Sequence, residues 1–262
     1  MRKLIDSHCH LQCLTPKALS ETLMENTTIY ICNATNENDW DQVISLKSEK
    51  VIPCIGIHPW YVSSLSPTWL EKLHIHLQNP DVQIGEIGLD NCKSKIAPKK
   101  LQEQIFRSQL QLALEYNKVV NIHCVSAYGK VANILQEYIK IKQFKVLMHS
   151  WEGPWEVTSR LLRMFGPNIV FSLSMVSVAR NKHVDVVQKL SDENIVIETD
   201  SPSQIVTSLV ESEEIEYEDG KAVNKPKYLK YVLQTVARIR ETSEDALAER
   251  LEQNFNRIFF NA

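Results

Sequence analysis

No stretch of this chain approaches the ~20 consecutive apolar residues of a membrane-spanning helix, no Cys-x-x-Cys pair occurs, and basic charge is not in excess. The first absence argues against a membrane span, and the opening dozen residues hold no apolar segment of the kind a secretion signal needs. The second removes common zinc and redox spacings, so Cys9, Cys13, Cys32, Cys54, Cys92 and Cys124 are expected as reduced thiols, several of them buried in or beside apolar runs. A reducing, cytoplasmic setting follows, with a nuclear one left open, and no obligate protein partner is evident. With 29 Lys and Arg against 32 Asp and Glu, the formal net charge is −3. Overall charge therefore does not advertise a nucleic-acid partner, which would need a local patch or a bound metal.

What the chain does have is an alternation of strands and helices from end to end, without a break in composition. Eight apolar, β-branched-rich runs read as strands at 3–8, 29–33, 51–57, 82–88, 118–123, 144–149, 168–173 and 194–199. Helical spacing fills most of the gaps. Thr15-Pro16 and Ser66-Pro67 each place a capping hydroxyl before a proline suited to the first helical position. Gly166-Pro167 ends another helix, and after the eighth strand come a polar loop, a helix around 226–240 and a last helix from Ser243. The order predicts one domain, 1–262, folded as a TIM-type (β/α)8 barrel of parallel strands inside outer helices, with an extra C-terminal helix.

Most of the strands run out in residues that bind metal well. The first ends in His8 and His10, which share a side in extended chain and can grip one cation, and Asp6 lies deeper on that side as a carboxylate to orient a ligand or pack. His58 follows the third, Glu86 closes the fourth, His123 the fifth, His149 the sixth and Asp200 the eighth. A barrel gathers such ends into one bowl. Glu86 has two oxygens and can bridge two cations, with His123 and His149 giving the second its nitrogens. His74-Ile75-His76 repeats the spacing, but within a helical pattern, where residues two apart point to nearly opposite sides. His183 reads as a solvated loop or helix-start residue.

The motifs DSHCH, GIHP, GEIGLD, IHC, HSW and ETDSP, in this order, resemble the signature series of the TatD-like DNase family within the amidohydrolase superfamily, and the similarity spans the whole chain. The resemblance implies two divalent metals, magnesium, manganese or zinc, hydrolysing phosphodiester bonds of DNA as substrate, often from a strand end. It implies that His8, His10, Glu86 and Asp200 hold one metal, that Glu86, His123 and His149 hold the other, and that His58 is a pocket residue. Four imidazoles favour zinc or manganese, and the resemblance keeps magnesium in play. Asp200, touching metal and water together, is placed to act as general base. Trp60, Asp90 and Trp151 are candidate substrate contacts. Trp60, Tyr61, Trp151 and Trp155 would stack on bases or pack in the wall, and Lys93, Lys95, Lys99 and Lys100 would meet a phosphate backbone or form a solvated helix start. The acidic run ESEEIEYEDG reads as a mobile surface loop.

Three positions depart from the family pattern. Val125 stands where an arginine is common two residues after the fifth-strand histidine, Trp60 where a second histidine often follows GxHP, and Asp200-Ser201-Pro202-Ser203 replaces the ETDAP-type ending. These keep a second activity in view, hydrolysis of a small ester or amide by the same metals, and below it a non-catalytic barrel that binds nucleic acid or a partner.

Overall fold

The structure, a computed structural model, describes residues 3–25 and 28–260. Its strands are β1 (Leu4–Cys9), β2 (Thr28–Asn33), β3 (Val51–Ile55), β4 (Gln83–Asp90), β5 (Val120–Val125), β6 (Val146–Met148), β7 (Ile169–Leu173) and β8 (Ile195–Ile197). Each pairs in parallel with the next in sequence, giving one eight-stranded sheet in simple order. The sheet curls into a TIM-type barrel. Its seam is closed beyond the ladders, where the Asp200 N–H donates to His8 O at 3.0 Å and the His10 N–H to Ser201 O at 2.8 Å.

Strand lengths depart from expectation where the bowl begins. β3, β6 and β8 stop at Ile55, Met148 and Ile197, because the residues that follow leave the ladder to face the bowl. β4 instead runs on to Asp90. The Thr15 hydroxyl caps helix Pro16–Met24 by accepting from Ala18 N–H at 3.3 Å. Ser66 does not cap. Helix Trp69–Leu77 starts after Thr68, and the Ser66 hydroxyl donates instead to Glu37 Oε1 at 2.6 Å.

The last helix, Glu244–Phe259, closes the barrel mouth opposite the bowl. It sets Phe255 against Ile5, Ile31 and Cys54, and Ile258 against Val119, Leu147, Val170 and Val196, so two side chains cover residues from six strands and the residue that leads into β5. Arg257 ties it down by donating to the carbonyls of Pro167 and Glu193, in the loops that lead into β7 and β8. That floor leaves the other mouth free for chemistry.

Two surface expectations are corrected. The acidic run forms part of a small hairpin, Tyr217–Glu218 with Lys221–Ala222, and is held by Lys230 on Glu214, Lys227 on Glu216 and Lys225 on Glu218. His183 does lie in the first turn of helix Asn181–Lys189 but is buried, not solvated, with Nε2 3.8 Å from Glu152 Oε1. All six cysteines are free thiols. Among the described residues no helix is long and apolar enough to cross a membrane.

Candidate metal centre

Local devices put each side chain into the bowl. β1 delivers His8, and His10 follows one residue past its end. In β4 the pairing with β5 slips between Ile84 and Ile87, and Glu86 turns into the bowl from mid-strand rather than from a strand end, its N–H donating to Ala34 O at 3.0 Å. Gly88 lets β4 pass so close to β5: its φ is 148°, and a Cβ there would meet the His123 carbonyl oxygen at 1.9 Å. Asp200 has a φ of 56°, uncommon for a residue other than glycine. The surrounding bonds impose it, among them Ser203 N–H to Asp200 O at 2.7 Å.

The side chains converge in two groups that share Glu86. Its Oε2 lies 3.4 Å from His8 Nε2 and 3.5 Å from His10 Nε2. Asp200 Oδ1 lies 3.6 and 3.3 Å from the same two nitrogens, which are 3.3 Å apart. Bonds of about 2.0–2.1 Å in a tetrahedral arrangement put neighbouring donors about 3.3–3.4 Å apart, so this spacing fits one cation. Glu86 Oε1 faces the second group, with His123 Nδ1 at 2.7 Å, His58 Nε2 at 3.4 Å and His149 Nε2 at 3.7 Å.

The far nitrogen of each ring decides what the near one can do. His10 Nδ1 lies 2.7 Å from the Asn33 carbonyl, which only accepts, so Nδ1 carries the proton and Nε2 turns a lone pair inward. His8 Nδ1 lies 3.2 Å from Asn121 Oδ1, and His149 Nδ1 lies 2.7 Å from Glu198 Oε1. His123 is reversed, with Nε2 3.3 Å from Asp90 Oδ2 and Nδ1 toward Glu86. In the neutral ring all four would turn a lone pair inward and keep a proton outward, as metal-bound histidines do. His58 does the opposite. Trp60 N–H donates to its Nδ1 at 3.1 Å, so in the neutral ring the proton sits on Nε2, 3.2 Å from His123 Nδ1 and 3.4 Å from Glu86 Oε1. Burial, the largest influence, pushes the His58 pKa down to about 4 and keeps the ring neutral.

The electrostatics call for positive charge. Burial resists ionisation of Glu86, yet His58, His149 and His8 outweigh it and hold the carboxyl well below its usual range. Burial is likewise outweighed at Asp200, by His149 and His10. Burial alone would lower His10 and His149. The carboxylates of Asp200 and Glu86 instead raise His10 to about 9, and those of Glu198, Glu86 and Asp200 raise His149 to about 10. Protons held so tightly mark sites where a cation would be held as well.

Glu198 escaped the sequence reading. It is fully buried, and its Oε1 accepts Ser150 N–H at 3.0 Å beside His149 Nδ1. Its signal was spacing, because two residues before Asp200 in extended chain is the same side. Glu198→Gln is expected to weaken divalent-metal affinity about 10–100-fold, as loss of a carboxylate behind a metal-bound histidine does. Calorimetric metal titration, with a melting curve as control, checks this, and unaltered affinity would show that Glu198 is only packed there. Asp6 acts on the same segment. Its carboxylate accepts Thr199 N–H at 2.9 Å and the Thr199 hydroxyl at 2.5 Å, and burial pushes its pKa up to about 8. It braces the stretch bearing Asp200 rather than orienting an imidazole.

Above these groups opens a bowl of about 510 Å³, lined also by Trp60, Tyr61, Asp90, Lys93 and Val125. Trp151 does not reach it. The ring is buried, its Nε1–H donates to Thr158 Oγ1 at 2.9 Å, and it packs on Phe171 and Tyr128, so its candidacy as a substrate contact is corrected to wall packing. Trp155 packs against the core at the start of helix Trp155–Phe165. Lys95, Lys99 and Lys100 are exposed outside the bowl lining. His74 and His76 sit half-buried on helix Trp69–Leu77, His74 against the Tyr116 hydroxyl and His76 near Asp41.

The family described as TatD related DNase matches residues 5–260. The chain is 30% identical over 219 residues to the metal-dependent hydrolase YabD of Bacillus subtilis, covering 80% of this chain and 77% of that one. It is 26% identical over 206 residues to the 3′-5′ ssDNA/RNA exonuclease TatD of Pantoea vagans, covering 78% and 76%. The fold superposes on YJJV, a TatD homologue of Escherichia coli, with a TM-score of 0.83 and 22% identity over 98% of this chain and 97% of that one.

Proposed function

The chain belongs to the TatD-related DNase family of metal-dependent hydrolases, and on that premise we propose that it hydrolyses phosphodiester bonds of DNA from a strand end, with two divalent cations in one hydrolase domain, 1–262. The observation that carries this reading is the division of Glu86 between two donor groups, one oxygen to each. His8, His10, Glu86 and Asp200 would hold one cation, and Glu86, His123 and His149 the other. When bound, such a pair offsets the phosphate's charge and lowers the pKa of water.

The chain's own residues do the rest. Asp200, kept ionised by its histidines, takes the proton of the attacking water as general base. His58, neutral and with its proton on Nε2, donates to a phosphate oxygen or the leaving group. Asp90 holds His123 in the tautomer that faces Glu86. A donor set of four imidazoles and two carboxylates suits zinc or manganese and admits magnesium.

Hydrolysis of a small ester or amide by the same centre is favoured by one observation: Val125 lines the bowl where relatives often carry a cation. One experiment separates the two. End-labelled single-stranded and duplex DNA, and a panel of esters and amides, are incubated with protein loaded with magnesium, manganese or zinc. Stepwise shortening of DNA that chelator stops is the expected result. No cleavage of DNA with any of the three metals rejects the nuclease reading, and turnover confined to the panel selects the alternative.

A further inference from the structure

One wall of the bowl carries a pair of side chains that neither the candidate ligands nor His58 uses. Trp60 is 41% exposed, yet its ring is held in place, because the indole Nε1–H donates to Asp90 Oδ2 at 2.7 Å. Asp90 is itself anchored. Its Oδ1 accepts Cys92 N–H at 2.7 Å, and its own N–H donates to Gln102 Oε1 at 2.8 Å. The oxygen that holds the indole also lies 3.3 Å from His123 Nε2, so the ring stands at a set place relative to the reacting centre. Lys93 Nζ lies 4.7 Å from the centre of the indole. Among the described residues that line the bowl, Lys93 is the one lysine or arginine, against the carboxylates of Glu86, Asp90 and Asp200.

We infer that Trp60 and Lys93 form the nucleotide subsite of this chain, the indole stacking the base of a terminal, unpaired nucleotide and Lys93 pairing with its phosphate. The inference rests on the phosphodiesterase reading above and names the side chains that choose its substrate. A rigid aromatic face at the mouth of a polar bowl suits a base, since every base has a π-face and stacking tolerates sequence. The ammonium over the ring is a weakly held occupant at an exposed site, and a phosphate oxygen forms a stronger, charge-assisted bond with it. Substrate thus draws Lys93 aside and opens the face that it covers. A base inside a duplex has both faces covered by its neighbours and a terminal pair exposes only the outer one, whereas an unpaired base can turn either face to the indole, so the subsite favours single-stranded or frayed ends. The lysine also supplies, from the loop after β4, the cation that Val125 withholds at the end of β5.

The test uses a single-stranded oligonucleotide and the same strand with an abasic terminal nucleotide. Cleavage by metal-loaded protein is measured as kcat/KM, and phosphorothioate versions are used for equilibrium binding. Wild type is expected to favour the base-bearing strand about tenfold in both measurements. Trp60→Ala and the bulkier Trp60→Leu bring that ratio near one, and Trp60→Phe keeps part of it. Lys93→Gln leaves the ratio but reduces the slope of log affinity against log salt by about 0.7, the value of one phosphate contact on a single strand. A wild-type ratio of one, an undiminished ratio in both Trp60→Ala and Trp60→Leu, or an unchanged salt slope in Lys93→Gln overturns the inference. Base-dependent binding without cleavage retains the subsite and removes the phosphodiesterase reading, while base-blind cleavage does the reverse.

Discussion

Glu86→Gln is expected to lower kcat/KM on the order of 10⁴-fold, the scale seen when one member of a catalytic unit is removed. The substitution keeps the volume of the side chain and one of its oxygens. It replaces the other oxygen with an amide nitrogen that has no lone pair to give. Glu86 lies between both donor groups, with Oε2 at 3.4 Å from His8 and Oε1 at 2.7 Å from His123. Either orientation of the amide therefore strips one group of its shared ligand. Metal analysis should show at least one ion lost per chain, and circular dichroism should show the barrel intact, since the floor made by Phe255 and Ile258 is untouched. Turnover and metal content equal to wild type would remove Glu86 from the centre.

Asp200→Asn is expected to cost about 10²–10⁴-fold in kcat, the usual contribution of a general base. Its signature differs from that of Glu86→Gln. Asparagine retains an oxygen for the group formed with His8 and His10, so metal content and KM should change far less than kcat. Without a base the variant depends on hydroxide from solution, and its rate should keep rising with pH where wild type has levelled. A pH profile parallel to wild type would show that Asp200 only holds metal. If metal content fell in step with kcat, the base assignment would lose its support.

Much of the fold was legible in sequence because its signals are local. Apolar runs of strand length, separated by helical spacing, call for parallel strands covered on both faces, and the strands fall close to where that pattern puts them. Boundaries slipped where tertiary demands end a ladder early, as at Met148 and Ile197, whose successors turn to the bowl. Glu86 was placed at a strand end because GEIGLD shows no sign of the register slip that turns it inward from mid-strand. Trp151 follows a candidate ligand in sequence, and adjacency to His149 said nothing about the pocket between Tyr128 and Phe171 that takes its ring. Ser66 looked like a cap because Ser-Pro fits one, but Glu37 across the fold binds its hydroxyl more directly.

By itself, then, the sequence determined which candidate metal ligands exist, their order, and that a barrel would bring them to one mouth, since alternation along a strand and the succession of strand and helix are written in neighbouring residues. Only the tertiary structure decided which nitrogen of each imidazole faces inward, that Glu198 stands behind His149, and that Asp90 ties Trp60 to His123. Those choices depend on acceptors that other strands supply. A histidine's donor and acceptor faces have no local code, and they are settled by whatever oxygen the folded chain places beside the ring.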